Sequence, residues 1–325
     1  MNVVRTFQIR AVMECVMALA GTLIPARAAE PPRVFYVNSY HEGYPSSDAT
    51  MAAIREVLGR QGVVLQVAFL DAKRHPAEAD VRRRAAEVLA AMRGFRPDLV
   101  IASDDDAVKY IVAPHYRSGP VPAVFCGVNW SARQYGLPTP NVTGMVEVVP
   151  IEDTLRELRR VRPGVRRLRV LTEDSLSERS SRELVGPRYQ RLGFEADFVF
   201  VGDFEAWKSA FVAAQSQADV VYLPTNGAIR GWDARVAIEW VRSHIRKPVV
   251  SCDDFMMPDA VFGLTKAPRE QGEWAARTAL EILHGKKPGE IPVTENRQTR
   301  CLVNLVLAAR IGFQAPAGLD CSAVQ

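Results

Sequence analysis

The 325-residue chain carries 41 Lys plus Arg against 37 Asp plus Glu, a formal net charge of +4, with 48% hydrophobic and 24% charged residues. These are the proportions of a soluble globular protein and exclude a disordered tail, a coiled coil and a collagen-like rod. The near-neutral balance gives no electrostatic case for nucleic acid. A single apolar stretch, at the extreme N-terminus, excludes a polytopic membrane protein.

In chain order, Arg5 and Arg10 precede an apolar run over residues 11–24 and an Ala26-Arg27-Ala28 cleavage pattern, which predicts a signal peptide over residues 1–28 and a periplasmic location. The run is shorter than the ~20 residues that a membrane span needs. Short β-branched runs then alternate with helical stretches. Strands are expected at 34–37, 63–70, 99–102 and 123–125, with helices at 49–58 and 77–92; Pro76 opens the second helix and Gly94 follows it. After the turn-rich segment 136–144 and a helix at 150–161, the same grammar restarts. Strands are expected at 168–171, 196–201, 220–223 and from 249, with helices at 180–192, 205–216, 229–245 and 269–284. The expected fold class is therefore α/β, two doubly wound parallel-sheet lobes joined by a hinge with three crossovers. Residues 32–145 with 266–293 are assigned to the N-terminal lobe, and 146–265 with 294–325 to the C-terminal lobe.

In such sheets a ligand binds outside the carboxyl ends of the strands. The loops there supply Tyr40, His41 and Tyr44; Asp104 and Asp105; Asn129 and Trp130; Asp174; Thr225 and Asn226; Asp253 and Asp254. They offer aromatic faces, amides, hydroxyls and carboxylates, with few cations. This suits a small polar ligand with donors, such as an ammonium or a set of hydroxyls. Each residue also has a plainer role. Asp104 to Asp106 stand where Asp caps a helix, His41 fits either a ligand or its aromatic neighbours, and Trp130 fits a rim. Three adjacent Asp residues lack the spacing of a calcium loop, so no metal is expected.

Catalytic and cofactor signatures are absent: no G-x-S-x-G elbow, no glycine-rich phosphate loop, no H-E-x-x-H and no dinucleotide fingerprint. No cofactor is expected, and an enzyme using the acidic cleft is kept only as an alternative. Of the cysteines beyond residue 28, Cys126 and Cys252 fall at corresponding points of the two halves and are expected to stay free. Cys301 with Cys321 is the one pairing worth considering.

The chain resembles the ABC-transporter substrate-binding proteins of the ABC_sub_bind family. The resemblance rests on Asn141-Val-Thr-Gly144, Asp219-Val-Val-Tyr-Leu-Pro-Thr-Asn226, Ile282-Leu-His-Gly-Lys-Lys-Pro-Gly-Glu-Ile-Pro292 and Leu302-Val-Asn-Leu305. Ser39-Tyr-His-Glu-Gly-Tyr44, Asp71-Ala-Lys-Arg74 and Val124-Phe-Cys-Gly-Val-Asn129 are similar to a subgroup that also occurs as extracytoplasmic sensor domains. That subgroup commonly has a tryptophan where this chain has Pro45-Ser46-Ser47. The resemblance implies a type I periplasmic-binding fold and a monomer whose lobes close over one small-molecule ligand. The ligand would then pass to an ABC transporter permease or to a membrane sensor.

Overall fold

The computed structural model describes residues 30–324, so the expected signal peptide lies outside the described residues. The first lobe begins β1 (Arg33–Asn38), α1 (Pro45–Gly59), β2 (Val64–Phe69), α2 (Glu78–Phe95) and β3 (Leu99–Ser103). It continues through α3 (Asp104–Ala107), α4 (Ala113–His115), β4 (Ala123–Asn129) and β5 (Val142–Glu147). The chain then enters the second lobe with α5 (Ile151–Val161), β6 (Arg167–Glu173), α6 (Leu176–Arg191), β7 (Glu195–Val201) and α7 (Phe204–Gln217). β8 (Val220–Tyr222), α8 (Ala234–His244), β9 (Val249–Val250) and β10 (Phe262–Lys266) follow. α9 (Pro268–Leu283) and β11 (Thr294–Glu295) return to the first lobe; β12 (Thr299–Asn304), α10 (Leu305–Ile311) and β13 (Cys321–Val324) finish in the second.

The first sheet runs β11-β5-β4-β3-β1-β2, with every pairing parallel. Its central strands are apolar on both faces because both are covered. Val34, Tyr36, Ile101 and Val124 pack with Ile54 and Leu58 of α1 and Ala275 and Ala279 of α9. On the other face Phe35, Val37, Val100 and Phe125 meet Val88 and Met92 of α2. The second sheet runs β13-β12-β10-β9-β8-β6-β7, parallel except for β10 against β12. A single apolar cluster containing Trp207, Phe211 and Tyr189 joins it to its helices.

Local chemistry sets the helix starts. Pro45 occupies the first turn of α1, so that helix begins four residues before the expected 49. Ser175 and Asp203 accept from the Glu178 and Ala206 amides and open α6 and α7. Asp233 caps α8 in the same way, which delays that helix to Ala234 and frees the expected segment from 229 as a loop.

The chain passes between the sheets three times, after Glu147, between Lys266 and Pro268, and between Glu295 and Thr299. Two of the expected boundaries are therefore short. β5 carries the first sheet on through Val146 and Glu147, and β11 pairs with β5 at Thr294 and Glu295. The turn formers at 136–144 concealed a buried strand that shows no alternation. β12 and β13 were not anticipated either. Cys301 and Cys321 face each other in register on those two strands and are disulfide-bonded. Cys126 and Cys252 are free and buried. Cys126 lies inside β4 whereas Cys252 follows β9, so the two do not fall at corresponding strand positions as expected.

Candidate functional site

The carboxyl ends of both sheets meet at a cleft between the lobes. The loop after β1 is held by Asn38, whose Oδ1 accepts from the Tyr40 amide and the Ser47 hydroxyl. The loop after β2 is tied to it, since the Asp71 and Ala72 amides donate to the Tyr40 and Ser39 carbonyls. This places Lys73 under the aromatic pair, its Nζ 4.7 Å from the Tyr40 ring centre and 5.7 Å from that of Tyr44. The two rings meet edge to face at 5.2 Å, and Tyr44 continues across the cleft to Phe255 at 5.6 Å. The Tyr44 hydroxyl and Thr225 Oγ1 share a hydrogen bond of 2.5 Å between the lobes.

Two buried lysines organise the charge. Lys73 Nζ donates to Glu173 of the second lobe, and the other Glu173 oxygen accepts from the Ala228 amide at 2.7 Å. Lys266 Nζ donates to Glu147 and stands 3.3 Å from Asp253. Burial opposes the charge on each lysine. Glu173 offsets it for Lys73, and Asp253 and Glu147 for Lys266, so both ammonium groups stay protonated well above the ordinary lysine range.

The carboxyls respond in the opposite direction. Burial first, and Glu147 second, push Asp104 well above the ordinary carboxylate range. Burial raises Asp253 to about 6 against the pull of Lys266, and raises Glu178 to about 7 against that of Lys73. Asp104 also has a left-handed backbone, φ +68°, opposite Gly127 at φ +71°. A Cβ at residue 127 would lie 3.0 Å from Asp104 Oδ1, so the close approach needs glycine there. The expected capping role does not fall to the Asp104–Asp106 side chains. The buried Ser39 hydroxyl accepts from the Ala107 amide instead, and Ser103 at the cap position makes no capping bond, its hydroxyl being paired with that of Tyr36. Backbone strain at a cleft carboxylate is a feature of functional sites.

Of the expected residues, Tyr40, Tyr44, Asp104, Asn129, Thr225 and Asp253 line the cavity, whose volume is about 50 Å³. Six others stand outside its lining. His41 turns to Asp71 at 3.6 Å, and burial with the nearby Arg74 lowers its pKa. Asp105 is buried behind the wall and positions Asn129, accepting from its Nδ2 at 2.8 Å and from the Tyr135 hydroxyl at 2.7 Å. Trp130 packs into the second lobe's apolar cluster, donating to Ser181 at 3.3 Å under the Arg188 guanidinium. Asp174 is exposed and paired in fork geometry with Arg179. Asn226 accepts from the Ile229 amide through its carbonyl, and Asp254 pairs with Arg300.

The expectation of few cations is corrected by Lys73 and Lys266. A local signal existed for Lys73, because Asp71-Ala-Lys-Arg74 follows a strand as the other site loops do. Glu173 is the strand neighbour of Asp174 and points inward where Asp174 points to water. Glu147 falls between the turn-rich segment 136–144 and the helix expected from 150, and Lys266 falls at an expected lobe boundary, so nothing local marked either.

Replacing Asp253 with Ala is expected to weaken ligand binding by about 1–3 kcal/mol, because it removes one of two acceptors facing Lys266. Calorimetry on the folded variant checks this. Unchanged affinity would remove Asp253 from the site.

No curated protein matches the sequence. Solved structures do match in fold. A Streptococcus pneumonia ABC domain in complex with L-Trp gives a TM-score of 0.72 at 15% identity, covering 90% of this chain and 100% of that one. A conserved domain protein from Vibrio cholerae gives 0.71 at 18% identity, covering 91% and 100%. A ligand-free, open substrate-binding protein with adhesive properties from Clostridium difficile gives 0.65 at 16% identity, covering 90% and 99%. The family described as ABC transporter substrate binding protein matches residues 42–325. With its two α/β lobes and the cleft between them, the chain belongs to the ABC transporter substrate-binding protein family.

Proposed function

We propose that the protein is exported, takes a small solute bearing a protonated amine (an amino acid or a related amine) between its lobes, and delivers it to an ABC transporter permease. One observation carries this reading: four carboxyl groups line the cleft against two ammonium groups, together with the side chains of Tyr40 and Tyr44. Carboxylates and ring faces are the groups that recognise an organic cation. The L-Trp complex among the fold neighbours supports an amine-bearing solute. Bonds that cross the cleft, Tyr44 to Thr225 and Lys73 to Glu173, support capture by closure about the three hinge passages. The binding class of the family favours capture without turnover. Among the described residues no helix is long and apolar enough to cross a membrane. Calorimetry against amines and amino acids, with product analysis of the same mixtures, tests the proposal. Saturable binding with the solute recovered unchanged supports it, whereas turnover, or no binding of any ammonium compound, overturns it.

The raised carboxyls set a pH dependence. Between pH 5 and 8 Asp253 ionises near 6 and Glu178 near 7, while an alkylammonium ligand keeps its charge. Affinity for such a ligand is therefore expected to rise across this window. The contribution of the same groups to stability runs the other way. Their folded pKa values exceed the unfolded ones, so it is fully present below about pH 4 and lost as pH rises through 6 and 7. Titrating affinity and urea midpoint over one pH series checks both signs, and an affinity that falls with pH would contradict the assignment.

A further inference from the structure

Taking the proposed capture of an ammonium compound as its basis, the charge pairing inside the cleft narrows the ligand further. Four carboxyl groups, Asp104, Glu147, Glu178 and Asp253, line the cavity with two ammonium groups, and Glu173 stands behind the wall on Lys73. Lys73 is held by Glu173, and Lys266 by Glu147 and Asp253. Asp104 and Glu178 are left without a cation.

Several neutral donors are committed. Ser47 donates to Asn38, Thr50 to the Ser46 and Pro268 carbonyls, and the Gly127 amide to Gln271. Asn129 spends its Nδ2 on Asp105. Beside the free hydroxyls of Tyr40, Ser46, Ser181 and Tyr189, the charged groups of the wall that remain without a partner of opposite charge are the carboxyls of Asp104 and Glu178. A carboxylate entering here would meet the four carboxyl groups on the wall and would have to share two lysines that already hold three carboxylates. Like charges brought together in a desolvated site cost several kcal/mol.

We infer that the preferred ligand is an organic amine that carries no carboxylate, with its ammonium on Asp104 and Glu178 and its apolar part against Tyr40 and Tyr44. A zwitterionic amino acid brings no net charge to neutralise the surplus and adds an anion with no free cation to meet. A mono- or diamine brings only what the site lacks.

Two pairs of compounds that differ only in the carboxylate test this on the full-length protein: tryptamine against tryptophan, and putrescine against ornithine. In calorimetry at pH 7.5 the amine of at least one pair is expected to bind about 100-fold more tightly than its amino acid. Asp104→Asn, checked for folding by its melting curve, is expected to remove most of that preference. If the amino acid binds as tightly as the amine or more so, the inference fails while the ammonium reading stands. If neither member of either pair binds, both fail. An amine preference that survives Asp104→Asn unchanged in a folded variant also overturns the placement on Asp104.

Discussion

Replacing Lys73 with Met is expected to cost the closed arrangement about 3–5 kcal/mol, because it strands Glu173 as a buried carboxylate without its cation. Both partners are almost wholly buried, with 3% and 0% of their side-chain surface exposed, so water cannot take the place of the ammonium. The two residues belong to different lobes, and opening the cleft returns Glu173 to water. Part of the cost should therefore appear as a shift toward an open form rather than as unfolding. Small-angle scattering should show a larger radius of gyration, and ligand affinity should fall. Glu173→Leu added to Lys73→Met should recover much of the loss, since replacing both members of a buried pair is far cheaper than removing one. A single variant with unchanged scattering and affinity would show that the pair does not hold the lobes together.

Replacing Gly272 with Val should destabilise the first lobe by about 3 kcal/mol, seen as a fall of several degrees in Tm. Gly272 lies near the start of α9, the helix that returns from the second lobe to cover α1. A Cβ there would come within 2.2 Å of the Thr50 carbonyl and 3.0 Å of the Ala53 Cβ. Backbone cannot move aside as a flexible side chain can, so the helices must separate. Gly94 is the natural control. It sits inside α2 with nothing within 4 Å of its Cβ position, and Gly94→Ala should leave stability unchanged or raise it by up to about 1 kcal/mol. Equal Tm values for Gly272→Val and the parent would mean that α1 and α9 do not meet as described.

What the sequence alone determined is what periodicity and position carry. The alternation of β-branched runs with amphipathic helices set two α/β lobes, and both sheets are indeed parallel apart from one pairing. The rule that ligands sit beyond strand ends named Tyr40, Tyr44, Asp104, Asn129, Thr225 and Asp253, all on the cavity wall. The fold class was legible because it depends on a repeating pattern of neighbouring residues, and the same local rule is what brings those six side chains to one wall. The helix starts set by Pro45 and Asp233 are equally local, but the apolar pattern does not show them because they rest on a first-turn proline and a capping carboxylate.

Only the tertiary structure decided which charges meet. Lys73 and Glu173 are 100 residues apart, and Lys266 and Glu147 are 119 apart. Nothing in the chain near either lysine shows that its solvent is a carboxylate from the other lobe. β5 was hidden for a similar reason, since a strand buried on both faces has no alternation and here stands behind turn formers. The surplus of carboxyl groups over lysines in the cleft exists only once the two lobes have folded against each other. Pairing and desolvation are properties of that arrangement and of no segment by itself.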